Sequence, residues 1–464
     1  MIPRVVVAAP SSGAGKTTVA VGLMAALRRA GQVVAGFKVG PDYIDPGFHA
    51  VATGRPGRNL DPMLSGEERV GPLFAHGSAG ADLAVIEGVM GLYDGALGTE
   101  GFSSTAHVAK LLKAPVVLVV DASAAGRSVG AVVQGFVAFD TEVRIVGVIL
   151  NKVGSDRHET EVRAGIAPTG VPVLGVLRRD PRLTVPSRHL GLVPANEQRD
   201  QAENAVDAAA ELVHQGVDLA AFVAAARAAV RHPATAWDPN EELAGLEAPS
   251  AASRRSGAAG EVPQVRRPVV AVAGGPVFSF RYTETTELLT AAGADVAIFD
   301  PLADTLPEAT SAVYLGGGFP ELHAEALSAN TKLREQVAAE IAAGLPVIAE
   351  CAGLLYLCRE LDGHPMTGVL PATGRMTSRL TLGYRTAIAA TTTAFFDEGR
   401  RVHGHEFHRT TLDLDADVPP AWHLPSGTEG VALPHVHASY LHLHWTATPD
   451  VPARLVAAAR NHRP

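Results

Sequence analysis

Short, continuous apolar runs alternate with stretches in which apolar positions recur every three or four residues, and this rhythm appears in both halves of the chain. In the first half the runs fall at residues 5–9, 33–38, 83–87, 115–120, 145–150 and 173–176. They are rich in Val, Ile and Leu and do not alternate with polar residues, which is the pattern of strands buried on both faces. Helix-like stretches such as residues 17–30 separate several of them. Strand, helix, strand in that order implies right-handed βαβ units and a mostly parallel sheet. Residues 202–231, Ala-rich with helical spacing, are expected to close this domain.

The rhythm then stops. Residues 239–267 are dominated by Ala, Ser, Gly, Pro and Arg, with few large apolar side chains, and read as a linker. It resumes with a strand at 268–272, a helix at 283–292 that ends where Gly293 supplies a C-cap, and strands at 296–299, 312–315 and 346–349. Beyond about residue 365 the pattern becomes β-like and rich in turns. The expected organisation is two α/β domains, residues 1–238 and 268–464, joined by 239–267. The first is a parallel-sheet P-loop domain. A chain of 464 residues is also too long for one ordinary core.

Composition narrows the class. Aromatics make up only 5% of a chain that is 47% hydrophobic, so Val, Leu, Ile and Ala must fill the cores. A net charge of −9 argues against a general binder of nucleic acid or of anionic membranes. Neither the apolar start nor residues 114–120 is long enough to be a signal peptide or a membrane span. The two cysteines, Cys351 and Cys358, give no disulfide framework, and the protein reads as cytoplasmic.

Two turns carry candidate chemistry. The first is Ser11-Ser12-Gly13-Ala14-Gly15-Lys16-Thr17-Thr18, between a strand and a helix. A Gly-rich turn in that place aims backbone N–H groups at phosphate, with the helix N-terminus adding favourable charge. Gly13, Gly15, Lys16, Thr17 and Thr18 are therefore the expected ATP-binding residues, Lys16 reaching the β/γ-phosphates and the Thr17 hydroxyl ligating Mg²⁺. Pro10 takes the place of the usual first glycine. Strand ends supply the partners: Asp42 and Glu87 as Mg²⁺ ligands, directly or through water, and Lys38 as phosphate countercharge. Asn151, followed by Lys152 at another strand end, is read either as a contact to the nucleotide base or as a C-cap. Tyr43, Asp45, Tyr93 and Asp94 lie in loops beside the expected γ-phosphate and are the candidates for positioning a substrate.

The second turn is Glu350-Cys351-Ala352-Gly353, again between an apolar strand and a helix start. Small flanking residues suit a strained nucleophile elbow, and a helix N-terminus is expected to lower the thiol pKa. Backbone N–H groups of Gly317, Gly318 and Ala352 are the candidate oxyanion donors. A cysteine nucleophile needs a base, and Ser439-Tyr440-Leu441-His442-Leu443-His444 is the most suggestive histidine stretch. Several His-x-His pairs near the C-terminus invite a metal reading, but no carboxylate set accompanies them at a metal-site spacing.

The phosphate loop, Lys38-Val39-Gly40-Pro41-Asp42-Tyr43-Ile44-Asp45-Pro46 and Glu87-Gly88-Val89-Met90-Gly91-Leu92-Tyr93-Asp94-Gly95 resemble the ATP domain of the cobyrinic and hydrogenobyrinic acid a,c-diamide synthases, itself similar to dethiobiotin synthetase. Residues 268–446 resemble class I glutamine amidotransferases of the cobalamin type. That resemblance implies Cys351 as nucleophile and His442 as its base. Many amidotransferases of the class have Glu two residues after the histidine; here His444 stands there, which leaves the third triad member open. Gly404-His405-Glu406-Phe407-His408 also matches a family motif. The resemblance implies a carbon–nitrogen ligase that uses ATP, Mg²⁺ and L-glutamine to amidate the a and c acetates of a corrinoid polycarboxylate in cobalamin biosynthesis. A homodimer is the family expectation. Competing readings are cobyric acid synthase or a synthase for another tetrapyrrole, and a non-enzymatic P-loop switch fused to an inactive amidotransferase scaffold. Ser11, where partitioning ATPases carry a signature lysine, argues against the last.

Overall fold

The Val-rich runs of the first half become strands that are largely buried. A computed structural model describes residues 2–179, 187–188, 191–192, 194–195, 197–246, 266–414 and 417–462. The chain divides into two units, Met1–Trp237 and Asp238–Pro464. In the first, strands β1 (Arg4–Ala8), β2 (Val34–Val39), β3 (Arg58–Leu60), β4 (Leu83–Glu87), β5 (Val116–Asp121), β6 (Ile145–Val153) and β7 (Val173–Arg178) form one sheet in the order β3-β2-β4-β1-β5-β6-β7. All its neighbouring pairs are parallel. Strands β1, β2 and β4 are buried at every residue, as continuous apolar runs in a helix-covered sheet require. β1 lies at the centre, so the loop leaving its C-terminal end opens where α/β sheets take ligands.

Tertiary contacts extend this plan beyond the apolar pattern. Arg4 is buried in β1, and its guanidinium donates to the carbonyls of Leu112 and Val230, tying the end of the unit to the central strand. The Ala-rich stretch forms two helices, Arg199–Gly216 and Leu219–Arg227. Strand β6 runs through Val153, so Asn151 and Lys152 lie within it rather than after it. β3 is three residues long and polar, with no run to announce it. A two-stranded pair, β8 (Ser187–Arg188) and β9 (Gly191–Leu192), completes the unit's strands among the described residues.

The segment read as a linker begins with a helix, Pro239–Ala244, whose cap Asp238 accepts the Asn240 N–H. Residues 247–265 of that segment lie outside the described residues. The second unit holds a sheet of β10 (Val269–Ala273), β11 (Asp295–Phe299), β12 (Thr310–Leu315), β13 (Val347–Glu350), β20 (Val431–Leu433) and β21 (Val436–Ser439), ordered β11-β10-β12-β13-β21-β20. Only the β20–β21 pair is antiparallel. The β-like region becomes a second sheet. Short strands β14 (Glu360–Leu361) and β15 (His364–Pro365) lead into a long antiparallel pair, β16 (Ala372–Ala389) with β17 (Arg401–Leu414). β18 (Trp422–Leu424) and β19 (Gly427–Glu429) pack at one end, and β22 (His442–Leu443) adds to β17. Among the described residues no helix is long and apolar enough to cross a membrane.

Candidate functional site

In the first unit the loop after β1 delivers its glycines in the conformations a phosphate cradle needs. Gly13 and Gly15 have φ of 79° and 91°, and Gly15 caps helix Lys16–Arg29. Gly15 is also required by space, because a Cβ there would lie 2.2 Å from Asn151 Nδ2. Asn151 donates to the Ala14 carbonyl at 2.9 Å, and Lys152 donates to Gly13 at 3.0 Å while pairing with Asp121 at 2.6 Å. Asn151 therefore shapes the loop, a role that neither the base contact nor the C-cap described. Lys16 Nζ donates to the carbonyls of Met90 at 2.5 Å and Ser11 at 3.4 Å, which holds the ammonium across the mouth of the loop. Burial, with Lys38 nearby, lowers its pKa. Thr18 follows on the first turn of the helix.

Glu87 is the hub. Thr17 Oγ1 donates to Glu87 Oε1 at 2.6 Å, Lys38 Nζ reaches the same oxygen at 2.9 Å, and His49 Nε2 lies 2.7 Å from Oε2. Burial alone would raise this carboxyl; Lys38 and the hydrogen bonds from His49 and Thr17 overcome it and hold the group well below the usual carboxylate range. Lys38 also donates to the Gly88 carbonyl at 3.0 Å and pairs with Asp45 at 2.6 Å. All three ammonium protons are thus directed into the protein. Lys38, expected at the phosphates, and Asp45, expected at the substrate, are here paired with each other: a buried ammonium requires buried counter-charge, and Asp45 supplies it from the first turn of helix Asp45–Thr53. Burial lowers and the carboxylates raise the Lys38 pKa, with a net rise.

The remaining predicted residues divide. Asp42 Oδ1 accepts the N–H groups of Ile44 and Asp45, so one oxygen organises the turn into that helix. Tyr43 is half-buried beside it. Asp94 Oδ2 accepts the Gly91 N–H, and Tyr93 donates its hydroxyl to the Phe136 carbonyl while its ring packs on Phe136 and Phe139. Both shape the segment after β4. Sequence reasoning missed His49: it lies on the inner face of a helix that has no strong apolar run, and its only signal was a histidine seven residues beyond Asp42.

In the second unit the elbow is real in its backbone. Cys351 has φ 50° and ψ −97°, outside ordinary L-residue space, between β13 and helix Ala352–Leu357. Its N–H donates to the Ser439 carbonyl at 2.7 Å. The thiol is buried, and the amides of Gly318 and Ala352 point at it. The expected fall in thiol pKa is corrected: burial, followed by the charge of Glu321, pushes it up, and those two amides offset only part of the rise. The N–H of Gly317, expected as an oxyanion donor, is bonded to the Phe280 carbonyl at 3.1 Å. The size of this residue also matters. A Cβ on Gly317 would lie 2.2 Å from His442 Cε1, so the His442 ring rests on this glycine while the next residue's amide faces Cys351. Cys358 is buried, with its Sγ donating to Leu354.

The two histidines of the C-terminal stretch separate clearly. His442 is held in β22 opposite His405 of β17, with Nδ1 3.7 Å from Glu350 Oε2. His444 Nδ1 pairs with the Thr446 hydroxyl at 2.8 Å, and its Nε2 stands 3.8 Å from Glu284. Other histidines pack structurally. His437 sits among Phe396 and Trp422, and His435 meets the Ile341 carbonyl at 2.9 Å. Among the described residues no group of His, Cys, Asp and Glu is arranged to hold a metal by itself.

Comparison with known proteins covers both units. Residues 5–193 match the CobQ/CobB/MinD/ParA nucleotide binding domain, and residues 269–450 match the CobB/CobQ-like glutamine amidotransferase domain. The chain is 56% identical to the hydrogenobyrinate a,c-diamide synthase of Streptomyces coelicolor, over 99% of this chain and 98% of the relative. It is 55% identical to the protein of that name from Thermobifida fusca, over 100% and 98%. The cobyrinate a,c-diamide synthase of Gloeobacter violaceus is 42% identical, over 95% and 93%.

Proposed function

The chain belongs to the a,c-diamide synthase family, and from that premise we propose that it converts the a and c acetates of hydrogenobyrinic acid to amides, using ATP and the amide nitrogen of glutamine. The cobalt-free ring is chosen because relatives named for it are 51–56% identical, against 40–42% for those named for cobyrinate. The observation that carries the reading is the pairing, in one chain, of a phosphate cradle at β1 with a positive-φ cysteine faced by two amides. Residues 1–238 are assigned to ATP and the ring acid, and residues 268–464 to glutamine. The expected setting is cytoplasmic, and the expected assembly is a homodimer.

In the amidotransferase unit, His442 takes the thiol proton of Cys351 as sulfur attacks the side-chain carbonyl carbon of glutamine. Burial raises the Cys351 thiol pKa, which favours the protonated thiol and gives this base a proton to remove. The oxyanion that forms is met by the amides of Gly318 and Ala352. His442 returns the proton to the leaving nitrogen, ammonia departs, and water hydrolyses the glutamyl thioester to glutamate and free Cys351.

In the other unit, Gly13, Gly15, Lys16 and Thr18 hold the triphosphate. The Thr17 hydroxyl and the Glu87 carboxylate, 2.6 Å apart at the loop, are hard oxygen donors of the kind Mg²⁺ takes beside phosphate oxygens. With Asp42 they are the groups that would hold it, and the ion would supply charge neutralisation on the phosphates. A ring acetate oxygen attacks the γ-phosphorus, ADP leaves, and the acyl phosphate so formed gives an amide and phosphate on attack by ammonia. Tyr43 remains the candidate for contact with the ring. The test is turnover by purified protein given glutamine, Mg·ATP and either hydrogenobyrinic or cobyrinic acid, with products resolved by mass. Formation of the diamide from the cobalt-free ring is expected, and absence of amidated product from both acids refutes the reading.

A further inference from the structure

Glu350 closes β13 immediately before Cys351, and its side chain is only 7% exposed. A carboxylate so placed needs partners, and those it has converge on His442. Oε2 accepts the Tyr314 hydroxyl at 2.9 Å and stands 3.7 Å from His442 Nδ1. Oε1 faces the N–H of Leu443, the residue after His442, at 3.4 Å. One carboxylate therefore faces the His442 ring with one oxygen and the backbone N–H of the next residue, Leu443, with the other. His444, at the position where related amidotransferases carry an acid, is engaged elsewhere with Thr446 and Glu284.

We propose that Glu350 is the positioning residue of the glutamine site, supplied by the strand before the nucleophile rather than by the segment after the base. The proposal rests on the glutamine-hydrolysing reading given above. Glu350 turns Nδ1–H of His442 toward itself, which leaves Nε2 as the nitrogen that exchanges a proton with Cys351. When that proton arrives, the imidazolium faces a carboxylate in a site walled from water. Tyr314 fixes the carboxylate in turn. Burial and the adjacent Glu350 push its phenol well above the ordinary range, so it stays a hydrogen-bond donor. Titratable neighbours include Cys351 on the same turn, Arg281 and Tyr282 beside Tyr314, and His405 across β17, with Arg385 beyond His405.

The test compares glutamine hydrolysis with ammonia-supported amidation in the full-length protein. Glu350→Gln keeps the side-chain volume and removes the charge. Its glutaminase kcat is expected to fall ~10²-fold or more, with the glutamine KM changed by less than about threefold and ammonia-supported amidation retained. Tyr314→Phe, which removes only the supporting hydroxyl, is expected to lower the same kcat by ~5-fold and nothing else. Wild-type glutaminase turnover in Glu350→Gln overturns the proposal. An equal loss of the ammonia-supported reaction also overturns it, because that result assigns Glu350 to the fold and not to His442. If the wild-type protein releases no ammonia from glutamine, the amide-donor reading itself fails, a result distinct from either of these.

Discussion

At the scale of single residues, space and charge decide more than motif membership. Gly317 illustrates space. Any side chain there meets the His442 ring, so Gly317→Ala is expected to displace the base and cut glutaminase turnover by ~10²-fold while sparing the reaction fed with ammonia. Steady-state kinetics with the two nitrogen donors checks this, and unchanged glutaminase turnover contradicts it. Glu87 illustrates charge. It neutralises Lys38, orients Thr17 and accepts from His49, so Glu87→Gln is expected to abolish ATP-dependent amidation and to leave Lys38 with one buried counter-charge fewer. Amidation assays and thermal unfolding should both register the change. Lys16, Thr17 and Cys351 were legible as residues because a strand, a small-residue turn and a helix start leave a local signature. The contacts of Lys38, Asp45 and Glu350 were not legible. Their partners come from other elements, and the chain gives no local sign that Lys38 meets Asp45 or that Glu350 meets His442.

At the scale of elements, the same division between local and distant signals holds. Strand β4 was read to the residue, and β1, β2 and β5 to within about one position. Each is a buried parallel strand whose apolar run is its own evidence. The pair β16–β17 was visible only as a β-like region, because its faces are half-exposed and its register shifts between Met376 and Thr381. β22 is two residues long, yet its pairing with β17 fixes His442. His405 in β17 and His437 in β21 are buried, and burial lowers their pKa values to about 3 from an ordinary 6.5. The unfolded chain binds protons at both sites as pH falls through about 6.5, whereas the folded chain resists until about 3. Stability therefore declines across that window, by up to ~1.4 kcal/mol per pH unit for each histidine. His437→Gln is expected to flatten the acid limb of a denaturation curve measured against pH; an unchanged slope would show that His437 does not titrate in this way.

At the scale of the whole molecule, the proposed chemistry of the two units is separable. Lys16→Ala is expected to lose amidation by roughly a hundredfold or more while Cys351 still forms its glutamyl thioester, detectable by mass after acid quench. Fold class was legible from the sequence, and the two turns proposed as reaction centres were legible in position because each follows the C-terminal end of a strand in its own unit. In the proposed reaction, nitrogen leaves glutamine at Cys351 and enters the ring acid as ammonia. The most direct measurement supplies hydrogenobyrinic acid and Mg·ATP with amide-labelled ¹⁵N-glutamine or with ¹⁵N-ammonium, and weighs the corrinoid product. Wild-type protein should place label from glutamine in both amides. Cys351→Ser should take label only from ammonium. Label passing from glutamine to the ring in the Cys351→Ser protein, or no labelled product from ammonium, would rule out transfer of ammonia from Cys351.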